Sequence, residues 1–287
     1  MKLVRYGPPG QEQPGLVDTA GTVRDLSGHV GDLCGDSLHP RALRQMAALD
    51  PKNLPAVAGS PRFGPCVAAT GKFIGIGLNY SDHAAEAGLK VPDEPIVFMK
   101  ATSAISGPND AIEVPRNSTK TDWEAELGVV IGNIARYVPE NRAMDYVAGY
   151  CVVNDVSERE FQMEREGQWT KGKSADTFGP IGPWLVTCDE IPDPQDLDIW
   201  LEVNGHRYQN GNTRTMIYGV RFLVSYLSRF MSLQPGDIIS TGTPPGVGLG
   251  LDPPNYLKPG DIVTLGVDGL GEQRQEVIPA REYCEPA

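Results

Sequence analysis

The stretch Asp122-Trp123-Glu124-Ala125-Glu126-Leu127-Gly128-Val129-Val130-Ile131 runs from charge into an apolar strand signal. Residues i and i+2 of a strand face the same side, so Glu124 and Glu126 are expected to point into one space. Two carboxylates at that separation repel unless a cation neutralises them or one is protonated. Further on, Val152-Val153-Asn154-Asp155 places an acid at the end of another apolar strand. Three carboxylates, with water completing the shell, suit a hard cation such as Mg²⁺ or Mn²⁺ better than Zn²⁺. Alone, the E-x-E spacing fits a solvated strand face better, since exposed acids are the rule. The apolar run and Asp155 turn the reading toward a metal site of Glu124, Glu126 and Asp155.

Outward from this stretch, strand signals dominate. Segments 73–78, 95–100, 147–154, 197–203, 237–241 and 261–267 are short and apolar, and Asn204-Gly205, Pro235-Gly236-Asp237 and Pro259-Gly260-Asp261 supply turns. The best helix pattern spans 216–231, with Val220, Leu223, Leu227 and Phe230 at helical spacing. Strands and helices do not alternate, so the expected class is β-rich α+β. Residues 1–67 read as a small N-terminal α+β domain. It has a strand at Leu3–Tyr6, a hairpin around Thr19-Ala20-Gly21, a helix from Pro40 to Leu49 and a Pro-rich connector. Residues 68–287 read as the catalytic domain.

Composition excludes several classes. A net charge of −12 argues against a nucleic-acid partner and against adhesion to an anionic membrane. The five cysteines form an odd set without C-x-x-C spacing, which indicates neither a disulfide framework nor a zinc knuckle. A reducing, cytoplasmic setting is expected. No stretch reaches the roughly 18 apolar residues of a membrane span, and the first residues lack a signal-like apolar core.

Other polar candidates surround the acids. In Asn79-Tyr80-Ser81-Asp82-His83-Ala84-Ala85-Glu86, a glycine-punctuated strand runs toward a helix, and His83 and Glu86 share a helical face. A Glu beside an imidazole orients it and raises its basicity, as a water-activating base requires. The same spacing also describes an ordinary surface pair. Arg159 and Gln162 follow Asp155 and can reach a bound carboxylate or carbonyl. The loop-like stretch 171–180 offers Lys171 or Lys173 for a developing negative oxygen, and local chemistry does not choose between them. Residues 239–248 leave a strand as a glycine loop whose N–H groups suit an anion. No Gly-Lys-Ser/Thr follows, so this is not a phosphate-binding P-loop, and Gly75-x-Gly77 is too little for a dinucleotide fingerprint.

Together these motifs resemble the fumarylacetoacetate hydrolase family over roughly residues 70 to 280. The match consists of G-x-N-Y-x-D-H-x-x-E (77–86), F-x-K (98–100), W-E-x-E-L (123–127), N-D-x-S-x-R-x-x-Q (154–162), G-K-S-x-D-T-F-x-P (172–180) and S-T-G-T-P-x-G-V-G (240–248). The resemblance implies a mixed β-roll or β-sandwich catalytic fold, a homodimer and Mg²⁺ or Mn²⁺ on Glu124, Glu126 and Asp155. It implies His83 and Glu86 as the water-activating dyad and chooses Lys173 over Lys171. Lys173 and Gln162 would hold the oxo group, and Thr243 would contact the substrate's carboxylate end. Family substrates carry a pyruvoyl end, so the small-molecule partner is a 2-oxo acid. The expected reaction is hydrolysis of the C3–C4 bond of a 2,4-diketo acid to pyruvate and a carboxylic acid. Residues 203–216 look like members that cleave 2,4-diketo-3-deoxy-L-rhamnonate or L-fuconate. The rivals are an oxaloacetate decarboxylase, or a lyase or isomerase of the ureidoglycolate lyase kind, on the same site. A non-catalytic metal- or ligand-binding protein is the alternative of a different class.

Overall fold

The computed structural model describes residues 1–82 and 90–281. In chain order the strands are β1 (Lys2–Tyr6), β2 (Gln13–Val17), β3 (Val23–Asp25), β4 (Phe73–Gly77), β5 (Ile96–Lys100), β6 (Ile105–Ser106), β7 (Ile112–Glu113), β8 (Thr121–Asp122) and β9 (Ala125–Ile131). They continue as β10 (Val147–Asn154), β11 (Ser157–Glu158), β12 (Gly179–Thr187), β13 (Asp198–Val203), β14 (His206–Asn212), β15 (Ile238–Ser240), β16 (Ile262–Val267) and β17 (Gly271–Ile278). The α-helices among the described residues are short: α1 (Pro40–Ala47), α2 (Thr170–Lys173) and α3 (Val220–Leu227). The β-rich α+β class expected from sequence is what the chain adopts.

Among the described residues one sheet runs β3-β2-β1-β12-β10-β9-β15-β4-β5, with β6 beside β12, and a second runs β14-β13-β16-β17-β7. The decisive stretch sits centrally in the first sheet as β9, antiparallel to both β10 and β15. Period-two alternation then gives β9 two unlike faces. Ala125, Leu127, Val129 and Ile131 join Tyr150 and Val152 in a core shared with Ile199, Leu201, Val263 and Leu265 of the second sheet. On the opposite face, Val130, Cys151 and Val153 pack with Leu3, Leu16 and Leu38 of the N-terminal segment. That segment extends the main sheet directly, because β1 pairs with β12. The boundary proposed between residues 67 and 68 falls in the irregular stretch before β4.

Some elements differ from the sequence reading. The helix expected over 216–231 is confined to Val220–Leu227, since residues 213–215 form a separate 3₁₀ turn and Gly219 caps the helix in extended conformation. Strands β12, β14 and β17 were not marked by the apolar pattern. β14 and β17 alternate exposed polar side chains with buried glutamines, Gln209, Gln273 and Gln275, so their inward faces carry little hydrophobic signal beyond Val277 at the end of β17. The stretch 171–180, read as loop, begins as helix α2.

Candidate functional site

The face of β9 that packs on the N-terminal segment becomes acidic at its other end. Glu126 lies opposite Val153, and the Asp155 N–H donates to the Glu124 carbonyl at 2.9 Å, continuing the ladder one step further. Glu124, Glu126 and Asp155 thus stand on one face, with carboxylate oxygens within 4.8 Å of one another. They are 7%, 2% and 0% exposed, so water does little to screen their repulsion.

Basic side chains supply part of the neutralisation. Lys173 Nζ lies 2.7 Å from Glu124 Oε2 and 2.7 Å from Asp155 Oδ2. Lys100 Nζ binds the other Asp155 oxygen and donates to the Val156 carbonyl at 3.1 Å. Arg159 Nη1 reaches Glu124 Oε1 at 2.7 Å and Gln162 Oε1 at 3.0 Å, while its Nε binds Asp122 Oδ2 at 2.8 Å. Glycine makes the approach of Lys173 possible. A side chain at Gly172 would place its Cβ 2.4 Å from the Glu158 carbonyl oxygen and 2.5 Å from Gln162. Residue 172 must therefore stay bare for α2 to press against 158–162 and deliver Lys173 to the acids.

Glu126 is held differently. Its Oε2 accepts from Ser240 Oγ at 2.6 Å and from the Gly242 N–H at 2.8 Å, and no ion pair reaches it among the described residues. The glycine loop after β15 was expected to offer its N–H groups to an anion. The anions it serves are the protein's own carboxylates: Gly242 donates to Glu126, and Gly248 and Leu249 donate to Asp122.

These environments drive the acids apart. Burial pushes the Glu124 carboxyl up, but Lys173 and Arg159 outweigh it and hold it down at about 2. Burial raises Glu126 well above the ordinary carboxylate range, and the charges of Asp155 and Glu124 add to the effect. Lys173 stays protonated, because Asp155 and Glu124 overcome the cost of its burial. Lys100 shifts down through burial, with Lys173 pushing the same way and Asp155 opposing. The donor set fits a hard divalent cation: three clustered carboxylates, one of them crowded by negative charge and without a basic partner among the described residues.

A cavity of about 360 Å³ opens beside the acids and is bordered by Glu124, Glu126, Arg159, Gln162, Lys173 and Thr243 at that end. Arg159 Nη2 is buried without a hydrogen-bond partner among the described residues. A buried unpaired donor of this kind costs about 1–3 kcal/mol, which an incoming carboxylate or carbonyl oxygen would relieve. Gln162 spends its carbonyl oxygen on Arg159, leaving its amide NH₂ for the cavity. Thr243 donates its hydroxyl proton to the Ala125 carbonyl at 2.8 Å and accepts from Gln209, so that hydroxyl has no proton left for a ligand.

The structure therefore brings together seven of the residues singled out from sequence: Glu124, Glu126, Asp155, Arg159, Gln162, Lys173 and Thr243. Lys171 points elsewhere and donates to the Arg165 carbonyl. His83 and Glu86 lie outside the described residues. Sequence reasoning gave no role to Lys100 or Asp122. Lys100 appeared only as the end of F-x-K, and its one signal is a lysine closing an apolar strand. None of residues 203–216 borders the cavity. Gln209 braces it from behind by accepting from the Ala125 N–H and donating to Thr243.

The model for the C-terminal part of fumarylacetoacetate hydrolase matches residues 72–278. A Burkholderia multivorans protein, provisionally named a hydrolase, is 67% identical over 98% of this chain and 100% of its own length. The chain belongs to the fumarylacetoacetate hydrolase family. Among solved structures, fumarylacetoacetate hydrolase from Exiguobacterium antarcticum is 34% identical, with a TM-score of 0.85 over 98% of this chain and 100% of that one. A 5-carboxymethyl-2-hydroxymuconate delta-isomerase from Mycobacterium smegmatis is 31% identical, with a TM-score of 0.76 over 98% and 100%. Maleylpyruvate hydrolase from Sphingobium sp. SYK-6, in complex with manganese(II) and pyruvate, is 27% identical, with a TM-score of 0.82 over 98% and 100%. The family thus spans hydrolases and isomerases on one fold. No described helix is long and apolar enough to cross a membrane.

Proposed function

We propose that the protein is a divalent-metal-dependent hydrolase that cleaves the C3–C4 bond of a 2,4-diketo acid, giving pyruvate and a carboxylic acid. The observation that carries this reading is Lys173, a buried cation 2.7 Å from both Glu124 and Asp155, at the edge of a cavity. When bound to Glu124, Glu126 and Asp155, Mg²⁺ or Mn²⁺ supplies Lewis acidity toward the 2-oxo acid end. The manganese and pyruvate of the Sphingobium neighbour support that choice.

The chain's own residues account for the remaining steps. Arg159 Nη2 and the Gln162 amide provide hydrogen-bond donors for the pyruvoyl oxygens. By family resemblance, His83 and Glu86 take a proton from water, whose oxygen bonds to C4. The C3–C4 bond breaks and its electron pair passes into the pyruvoyl fragment. Negative charge gathers on the 2-oxo oxygen, where the Lys173 ammonium stabilises it. Protonation at C3 yields pyruvate. Assembly as a homodimer is part of the same proposal.

The test is pyruvate release from acylpyruvates, from 2,4-diketo-3-deoxy-L-rhamnonate and L-fuconate, and from oxaloacetate, with Mg²⁺ or Mn²⁺ and with EDTA. Metal-dependent release from a diketo acid, much faster than from oxaloacetate, is expected. Release from oxaloacetate alone would move the assignment to a decarboxylase. The isomerase neighbour supports a second reading, in which a 2-oxo acid shifts its double bond or keto–enol form and releases no pyruvate. An absorbance change without pyruvate would favour it.

A further inference from the structure

We infer that the acyl end of the substrate is uncharged and apolar, an alkyl or aryl group rather than a polyhydroxylated or carboxylated chain; this rests on the diketo-acid reading above. Away from the acids, the cavity is bordered by Ile76, Leu78, Phe98, Trp169, Val247 and Leu249. Two of these side chains are seated by glycines. Gly75 and Gly77 lie two apart on β4 and so face the same side. A Cβ on Gly75 would come within 2.2 Å of the Phe98 ring, and one on Gly77 within 2.3 Å of the Trp169 ring. The bare backbone of this Gly-x-Gly pair is a seat for two aromatic rings, whose centroids are 5.5 Å apart. At the mouth, Met163 and Leu249 also border the cavity and remain 54% and 37% exposed, which carries the apolar lining out to the rim.

The charge inventory points the same way. The cations bordering the cavity are Arg159 and Lys173, and both are engaged with Glu124 at the acid end. Its uncharged polar side chains, Gln162 and Thr243, belong to that end too. Residues 83–89 and 282–287, outside the described range, contain no lysine or arginine. Among the described residues, a second carboxylate on the acyl group has no free lysine or arginine to meet, and a row of hydroxyls would lose water without gaining side-chain partners there. Each methylene buried there instead strengthens binding by about fourfold.

Calorimetry on the full chain saturated with Mn²⁺ tests this with unreactive 2-oxo acids: pyruvate, 2-oxooctanoate and 2-oxoadipate. The expected result is 2-oxooctanoate binding at least tenfold tighter than pyruvate, and 2-oxoadipate no tighter than pyruvate. Leu249→Lys, at the exposed rim, should weaken 2-oxooctanoate and strengthen 2-oxoadipate. In parallel, kcat/KM for hexanoylpyruvate should exceed that for acetylpyruvate and for 2,4-diketo-3-deoxy-L-rhamnonate by tenfold or more. Equal or tighter binding of 2-oxoadipate, or faster turnover of the polyhydroxylated acid, would overturn the inference and leave the hydrolase reading standing. Preference for 2-oxooctanoate with no diketo acid cleaved would support the inference and sink the hydrolase reading. Failure of every 2-oxo acid to bind would remove both.

Discussion

One face of β9 and β10 has two ends that share a backbone and differ in everything else. At the N-terminal-segment end, Val130, Cys151 and Val153 pack against leucines and need only shape and volume. At the other end, Glu124, Glu126 and Asp155 are buried too, yet are surrounded by Lys100, Lys173, Arg159 and a loop that donates to Glu126. The apolar end holds itself together through burial. The acidic end is held by counter-charges, and among the described residues Glu126 meets none. A buried carboxylate that meets no cation among the described residues, set beside two that do, is a place built for a ligand that brings positive charge.

The contrast yields predictions that can break it, from the largest effect down. Asp155→Asn should lower metal-dependent turnover by on the order of 10³, several kcal/mol of lost stabilisation, with circular dichroism unchanged; pyruvate release measures it. Lys173→Met should cost about 3 kcal/mol of stability in urea denaturation without metal, since it takes one counter-charge from each of two buried carboxylates and leaves Glu124 to Arg159 and Asp155 to Lys100, and Mn²⁺ should restore part of the loss. Val153→Ala, beside Glu126 but on the apolar side of the divide, should cost about 2–3 kcal/mol whether or not metal is present. If Mn²⁺ rescued that variant as well, the two ends would not be separate.

Protons should follow the same divide. Burial, with the charges of Asp155 and Glu124, raises Glu126 well above the ordinary carboxylate range, so a metal must compete with its proton. Mn²⁺ affinity should therefore fall by about tenfold per pH unit below that raised pKa, with proton release visible as buffer-dependent calorimetric heats. Glu124 has the opposite sign. Its folded pKa of about 2 lies below the ordinary 4.5, so its contribution to stability is whole above 4.5 and lost as pH falls through about 2. The smallest effect belongs to the exposed pair Arg214–Asp196, 63% and 60% exposed: Arg214→Ala should change stability by less than about 0.5 kcal/mol.

The acidic end was the more legible in the sequence. Glu124 and Glu126 stand two apart on an apolar strand, so period-two geometry puts them on one face; that Asp155 joins them follows from the antiparallel pairing of β9 and β10, which the spacing does not state. The strand partners that frame them were harder to read. β14 and β17 bury glutamines that satisfy backbone groups, such as Gln273 donating to the Val152 carbonyl at 2.8 Å, and buried amides look polar to any hydrophobic pattern. Lys100 and Lys173 were ambiguous for a related reason. A lysine's sequence neighbours do not say which distant carboxylate it meets, and Lys173 reaches Glu124 only because Gly172 lets α2 close in. Gly75-x-Gly77 carried no message until Phe98 and Trp169 were seen lying on it.

The most direct test of the central claim is a Mn²⁺ titration followed by electron paramagnetic resonance, comparing the natural chain with Glu126→Gln. One tightly bound ion per chain, lost in Glu126→Gln while the fold persists, is the predicted result. Undiminished binding in Glu126→Gln, or no ion bound by the natural chain at millimolar Mn²⁺, would contradict a metal centre at the acidic end of β9 and β10.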